Sequence, residues 1–198
     1  MRRRALLAAL AGTVVLVVWG MVFWAFLAAP LGAFRALPDD AAVTRTLGES
    51  DVGTGTYFMP WPRDTRQAFE RFVAQHRSGP FYRLSYVREG VDPNSPGKIV
   101  LGTAHYATVA ILAVLLCSLA RGASFKRRFG VVFLGGLIGT DLITIGDPVW
   151  FHMPWDHTRA LLVYQVTCWI LLAAVVAKVG TTRAHPTDRA PRPTESTG

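Results

Sequence analysis

The fold of this chain is decided by its first long apolar stretch, "ALLAALAGTVVLVVWGMVFWAFLAA", which runs from Ala5 to Ala29. A helix needs about 20 apolar residues to cross the roughly 30 Å hydrocarbon core of a bilayer. Backbone groups left unpaired in lipid are costly, so stretches of this kind form helices. Three further stretches have the same character: Ile99–Leu119, Phe129–Ile145 and Ala160–Val179. The sequence therefore predicts four transmembrane helices.

The first helix is predicted to be an uncleaved anchor, although "MRRRALLAAL" also suits the basic start of a secretory signal. The apolar part of a signal peptide is only about 7–15 residues long. The stretch here is longer and carries two tryptophans, so cleavage near "FLAAP" is the lesser alternative.

The arginines and lysines predict the orientation of the helices, because cytoplasmic loops of membrane proteins are enriched in both. Basic residues precede the first helix, fill the loop between the second and third, and follow the fourth, whereas the other short loop contains only Arg159. Both termini are therefore expected in the cytoplasm. The net charge of +8 is then mostly a topology signal, and a nucleic-acid partner is not expected.

The predicted fold class is an all-α membrane protein with four transmembrane helices and a small extracytoplasmic α+β module between helices 1 and 2. The predicted segments are 1–34 (N-terminal segment and first helix), 35–98 (module), 99–120 (second helix), 121–128 (basic cytoplasmic loop), 129–147 (third helix), 148–159 (extracytoplasmic loop), 160–180 (fourth helix) and 181–198 (disordered cytoplasmic tail). The expected location is the inner membrane of a bacterium, and the lipid bilayer is the first expected partner.

The module is predicted to contain two helices and two strands. Asp39 and Asp40 favour a helix start in "LPDDAAVTRTL", and "DTRQAFERFVAQHR" has the apolar spacing of a second helix. "GTGTYFMP" and "FYRLSYV" have the alternating pattern of short strands. A module of about 60 residues has little core of its own, so it is not expected to fold alone.

One stretch, "WFHMPWDHTR" from Trp150 to Arg159, gathers possible metal ligands and shares its Met-Pro-Trp core with Tyr57–Arg66. Zinc sites need three or four converging ligands. The candidates are Asp147, His152, Asp156 and His157. A loop at the membrane surface, where tryptophan is favoured, is the alternative explanation. No cofactor is predicted.

A second group of candidates lies inside the predicted helices. Ionisable groups in a membrane are costly and usually face a partner or a wet cavity. At 1.5 Å per residue, Asp141 and His105 lie about 10 Å and about 9 Å below the outer surface, and Tyr164 and Gln165 lie about 6–8 Å below it. The four residues are predicted to form one polar layer, which either holds the bundle together or binds a proton or ligand.

Gly135 and Gly139 form a small-xxx-small pattern on the third helix. Such patterns allow close helix approach in membranes. The facing helix is expected to belong either to this chain, to a second copy or to another membrane protein.

Several short motifs resemble those of an uncharacterised group of small bacterial four-helix membrane proteins. They are "VVWGMVFWAF", "ALPDD", "GTYFMPWP", "EGVDPNSP" and "DPVWFHMPW". The resemblance implies the topology and the bacterial inner membrane, and it implies no activity or site residue.

Three functions remain open from the sequence. The first is a non-enzymatic accessory or sensing protein. The second is a small proton-coupled transport protein that works through His105 and Asp141. The third is a metal-dependent membrane enzyme built on the loop from His152 to His157.

Overall fold

The structure is a computed structural model that describes residues 2–61 and 65–180. It contains four helices long and apolar enough to cross a membrane: Arg3–Leu27, Pro96–Ser118, Phe125–Phe151 and Trp155–Val179. The predicted disordered tail, 181–198, lies outside the described residues. The four predicted helices and a small sheet are thus present.

The elements follow one another in a simple order. They are α1 (Arg2–Val22, continued by a π-helical segment Phe23–Leu27), α2 (Asp40–Glu49), β1 (Gly55–Met59), α3 (Arg66–Ser78), β2 (Tyr82–Tyr86), α4 (Pro96–Ser118), α5 (Phe125–Thr140, continued by a π-helical segment Asp141–Ile145), α6 (Gly146–Phe151) and α7 (Trp155–Val179).

The predicted loops on either side of the third helix are too long. The helix begins at Phe125, inside the predicted loop 121–128, because the Ser124 side chain accepts a hydrogen bond from the Arg127 backbone N–H and caps it. At the other end, the predicted loop 148–159 is helical except for His152–Pro154. Pro148 lies in α6, which continues the long helix directly after the π-helical segment.

Two of the long helices contain a π-helical turn, which the sequence did not predict. In the first, the Ala28 backbone N–H donates to the Phe23 carbonyl oxygen, five residues earlier, at 2.9 Å. The second follows α5 and includes Asp141 and Thr144. Turns of this kind occur frequently at functional sites.

The four long helices form one bundle, in which α1 packs on α4 and α7, and α5 packs on α7. The core is built from small and aliphatic side chains, among them Leu16, Ala110, Val132 and Leu172. The outward faces of the helices are apolar as well, with Leu142 75% exposed.

The close approach of α5 to α7 depends on Gly136 and not on the predicted pair Gly135 and Gly139. A Cβ atom at Gly136 would lie within 2.5 Å of several Trp169 ring atoms, whereas one at Gly139 would meet no atom within 4 Å. Gly135 adjoins Leu116 of α4. Gly135 and Gly136 thus serve packing within the chain, whereas Gly139 faces open space.

Residues 36–95 form a separate compact unit. Its two strands are antiparallel, with Tyr57 opposite Leu84. The Asp39 side chain caps α2 by accepting from the Ala42 N–H, and the Thr65 side chain caps α3 in the same way. Neither helix contains a buried residue, so the described part of this unit has little core.

A local hydrogen-bond network joins the segment before β1 to the segment after β2. The Thr54 hydroxyl donates to Glu89 Oε2 at 2.6 Å and accepts from the Arg88 backbone N–H at 3.0 Å. The bond from Thr54, assisted by the Glu89 backbone and the Arg88 charge, lowers the pKa of the Glu89 carboxyl below its ordinary value.

Candidate ligand-binding site

A cavity of about 410 Å³ lies within the bundle, between α1, α4 and α7. Most of its wall is apolar or aromatic, and a few polar side chains reach it. The residues that line it are Leu16, Trp24, His105, Tyr106, Val109, Tyr164, Gln165, Cys168, Trp169 and Leu172. Binding sites for small molecules have this composition, with apolar walls and a few polar groups that orient the ligand.

A pair of tyrosine hydroxyls forms the polar centre of the cavity. The hydroxyl oxygens of Tyr106 and Tyr164 are 2.7 Å apart and share a hydrogen bond between α4 and α7. Gly20 of α1 makes room for this pair, because a Cβ atom there would lie 2.7 Å from the Tyr106 hydroxyl oxygen. One hydroxyl donates in this shared bond, so the pair keeps one hydroxyl hydrogen and several lone pairs for a ligand.

His105 lines the cavity beside this pair. Its ring centroid lies 5.5 Å from that of Tyr106, and within the described part of the chain it makes no hydrogen bond. An imidazole can donate and accept one hydrogen bond in its neutral form. His105 is thus the polar group of the cavity with the most unused hydrogen-bonding capacity.

Gln165 is fixed at the cavity wall by the second π-helical segment. Its side-chain amide donates to the Thr144 hydroxyl at 2.7 Å, and Thr144 is buried. The first π-helical segment contributes Trp24 to the same cavity. Both irregular turns therefore position side chains at this site.

The structure joins three of the four residues of the predicted polar layer, His105, Tyr164 and Gln165, but does not join Asp141 to them. Asp141 is exposed, does not line the cavity, and among the described residues it forms no ion pair with His105. Depth along a helix does not determine which way a side chain faces. The segment that carries Asp141 packs on α7, whereas α4, which carries His105, packs mainly on α1.

The predicted metal candidates lie around the junction between the end of the first long helix and the start of α7. Asp156 binds Arg35 at 2.5 Å and also binds Arg159. The Nδ1 atom of His157 lies 2.5 Å from the Ala33 carbonyl oxygen and forms a hydrogen bond with it. These contacts bind the segment after the first long helix, which contains Ala33 and Arg35, to the start of α7.

The other two metal candidates lie at the turn before α7. The Asp147 carbonyl oxygen accepts the His152 backbone N–H, and His152 has a left-handed backbone with φ of 53°. In the ranges 2–61 and 65–180, no three histidine, cysteine, aspartate or glutamate side chains are grouped so that they could hold a metal ion. Asp156 and His157 are thus engaged in contacts at the helix junction, and Asp147 and His152 contribute backbone groups to the turn.

Sequence reasoning missed Tyr106, Trp24, Trp169 and Cys168, which line the cavity. Each belongs to a type that is common at helix contacts, and no local pattern distinguishes a wall residue from a packing residue. Glycine at position 20, opposite aromatic residues on other helices, is the one available signal.

Comparisons with protein-family models, with curated proteins and with solved structures find no match to this chain.

Proposed function

We propose that this chain is a multi-pass membrane protein that binds a small apolar molecule with one hydrogen-bonding end, and that it acts as a non-enzymatic sensing or accessory unit. The cavity between α1, α4 and α7 carries the proposal. Its aromatic walls suit an apolar body, and His105 with the tyrosine pair suits a polar end.

The apolar outward faces of the bundle support placement in a membrane. Each long helix contains a highly apolar segment of 18 residues. Only 11% to 33% of that segment is buried inside the bundle, so most of its apolar surface faces outward. In water such surfaces promote association, whereas in lipid they are favourable. The resemblance of the sequence motifs supports the inner membrane of a bacterium.

The distribution of basic residues supports both termini in the cytoplasm. Arg121, Lys126 and Arg127 lie at the end of the bundle where α1 begins and α7 ends. At the other end, the junction between the third and fourth long helices, residues 148–159, carries Arg159 as its only arginine or lysine. The larger number of arginines and lysines in the short segments at the first end favours that end as the cytoplasmic one.

The accessory part of the proposal is supported by Asp141. Its exposed carboxyl lies on an apolar helix face beside Gly139, and such a group usually meets a partner in a membrane. We propose that this face contacts a second copy or another membrane protein. In a background without Cys117 and Cys168, Gly139→Cys should form an oxidised cross-link between chains, and Ile111→Cys, on an exposed face of α4, should not.

The binding function is tested by thermal unfolding of the full chain in neutral detergent with decanol, decanoic acid or decane. A ligand that binds only the folded state raises the melting temperature. Val109→Phe fills the cavity wall, and Leu112→Phe is the matched control because Leu112 lies exposed on the same helix. Decanol or decanoic acid should stabilise the wild type and Leu112→Phe more than Val109→Phe, and decane should have the smallest effect.

The proposal also makes His105 the principal polar contact. His105→Phe keeps an aromatic ring and removes both ring nitrogens, so it should reduce stabilisation by decanol while leaving the unliganded melting temperature nearly unchanged. Equal stabilisation of all variants by all three probes would show that the probes act through the detergent and would contradict the proposal.

A further inference from the structure

A second cavity lies at the opposite end of the bundle from Asp156 and has a different chemistry. Its volume is about 240 Å³, and it lies between the start of α1, the end of α4, the start of α5 and the end of α7. Three arginines line it, Arg4, Arg121 and Arg128, and no acidic side chain is among the described residues of its wall. The cavity is therefore lined by three cationic side chains that lie far apart or in different segments of the sequence.

Arg128 is the unusual member of this set because it is buried. Its residue is 9% exposed, and its Nε atom has no hydrogen-bond partner among the described residues. It also forms no ion pair within the described part of the chain. A buried charge without a partner is strongly unfavourable, so a fixed guanidinium at this place favours an external anion.

The arrangement fits a phosphate group. A guanidinium offers several N–H donors in a planar fork that matches phosphate oxygens, and such charge-assisted bonds are stronger than neutral ones. Arg4 of α1 and Arg121 of the turn between α4 and α5 add charge, so three cations surround one small cavity.

The rest of the wall indicates that the phosphate belongs to a lipid. Ala5, Val114 and Val176 give the cavity an apolar side, and the cavity lies where four apolar helices end. In a bilayer this is the level of the headgroups, and basic pockets between helices bind anionic headgroups there.

We propose that this cavity binds the phosphate of an anionic phospholipid, with Arg128 as the buried anchor and Arg4 and Arg121 at its sides. The site is separate from the cavity around His105 and does not depend on a ligand there. It rests on the membrane placement proposed above, because only a membrane protein meets this ligand at this level.

The proposal is tested with the purified full chain in neutral detergent by native mass spectrometry and thermal unfolding. The probes are phosphatidylglycerol, phosphatidylcholine and inorganic phosphate. The variants are Arg128→Met and Arg121→Gln, and Lys126→Gln is the matched control because Lys126 is exposed and does not line the cavity.

Phosphatidylglycerol should bind and raise the melting temperature of the wild type and Lys126→Gln. Its apparent affinity should fall about tenfold or more in Arg128→Met, and to a smaller extent in Arg121→Gln. In the absence of lipid, Arg128→Met should unfold at a higher temperature than the wild type, because it removes an unpaired buried charge. If Arg128 served only to stabilise the fold, Arg128→Met would unfold at a lower temperature than the wild type.

Three results would overturn the proposal: equal binding of phosphatidylcholine, stabilisation by inorganic phosphate alone, or unchanged phosphatidylglycerol binding in both arginine variants. If Arg128→Met does not fold, Arg121→Gln and Arg4→Gln decide the outcome. Retention of the chain in carbonate-washed membranes tests the membrane placement separately, so a failure of the lipid site is distinguishable from a failure of that premise.

Discussion

At the scale of single residues, the glycines decide where aromatic side chains can lie. Gly20 admits the hydroxyl of Tyr106, and Gly136 admits the ring of Trp169. Each glycine lies on a different helix from the aromatic residue that it accommodates. The candidate cavity therefore owes its shape to missing side chains as much as to the residues in its wall.

Gly20→Ala should disrupt the cavity, because the new Cβ atom would lie 2.7 Å from the Tyr106 hydroxyl oxygen. Overpacking of this kind costs about 1–3 kcal/mol. The melting temperature in detergent should fall, and stabilisation by decanol should be lost. Gly102→Ala is the control, since a Cβ atom there meets no atom within 4 Å. Equal melting temperatures for the two variants would contradict the expected clash.

Thr54→Val should raise the pKa of Glu89 toward its ordinary value, because it removes the hydrogen bond at 2.6 Å that favours the carboxylate. A lowered folded-state pKa stabilises the folded module above the ordinary pKa, and this contribution is lost as the pH falls through the lowered value. Carboxyl titration followed by NMR in the full chain measures the change. Thr56→Val, also in an exposed part of the module, should leave the Glu89 titration unchanged.

At the scale of elements, the existence of the helices was predictable and their ends were less so. The apolar stretch from Ala5 to Ala29 had to be helical in lipid, whereas the start at Ser124 depended on a single cap. The rotation of each helix about its axis was not predictable. The depth of a residue along its helix and the spacing of apolar residues do not show which face a neighbouring helix covers. For this reason the predicted layer could include Asp141, which does not line the cavity, beside His105, which does.

Gly136→Ala should destabilise the contact between α5 and α7 more than Ala at any other glycine of α5. Its Cβ atom would overlap the Trp169 ring, so a loss of about 1–3 kcal/mol or more is expected. Gly139→Ala is the matched control, three residues away on an open face. Thermal unfolding in detergent should separate the two variants, and similar melting temperatures would show that Trp169 has another position available.

The unit 36–95 should not fold as an isolated fragment. Its helices bury no side chain, and the two strands pair only with each other, which gives marginal stability at this size. A fragment of residues 36–97 should show no cooperative thermal transition by circular dichroism. A sharp transition would show that the small sheet and two exposed helices are sufficient.

At the scale of the whole molecule, two cavities of different chemistry occupy one small bundle. The larger is aromatic and contains a tyrosine pair, and the smaller contains three arginines. The arginines were visible in the sequence as a topology signal. The sequence could not show that these arginines share a cavity. Arg4 meets Arg121 and Arg128 only through the packing of the helices.

The proposed orientation is tested by single cysteines in a background without Cys117 and Cys168. With Arg35–Lys98 outside and both termini in the cytoplasm, Ser50→Cys should react with an impermeant thiol reagent on intact cells, and Ser124→Cys should react only after permeabilisation. Labelling of Ser124→Cys from outside would reverse or break the proposed topology.

The two π-helical turns also have a consequence for how this chain tolerates changes in length. Each such turn contains one residue more than an α-helical turn, so removal of one residue can restore the regular ladder. Deletion of Ala25 would then leave a continuous α-helix, and residues on either side of the turn would keep nearly the same faces, because the wide turn and the regular turn cover nearly the same angle. Only the side chains within the turn, Trp24 among them, would change position. A lineage that had lost this residue would therefore keep the bundle while losing the contribution of this turn to the cavity wall.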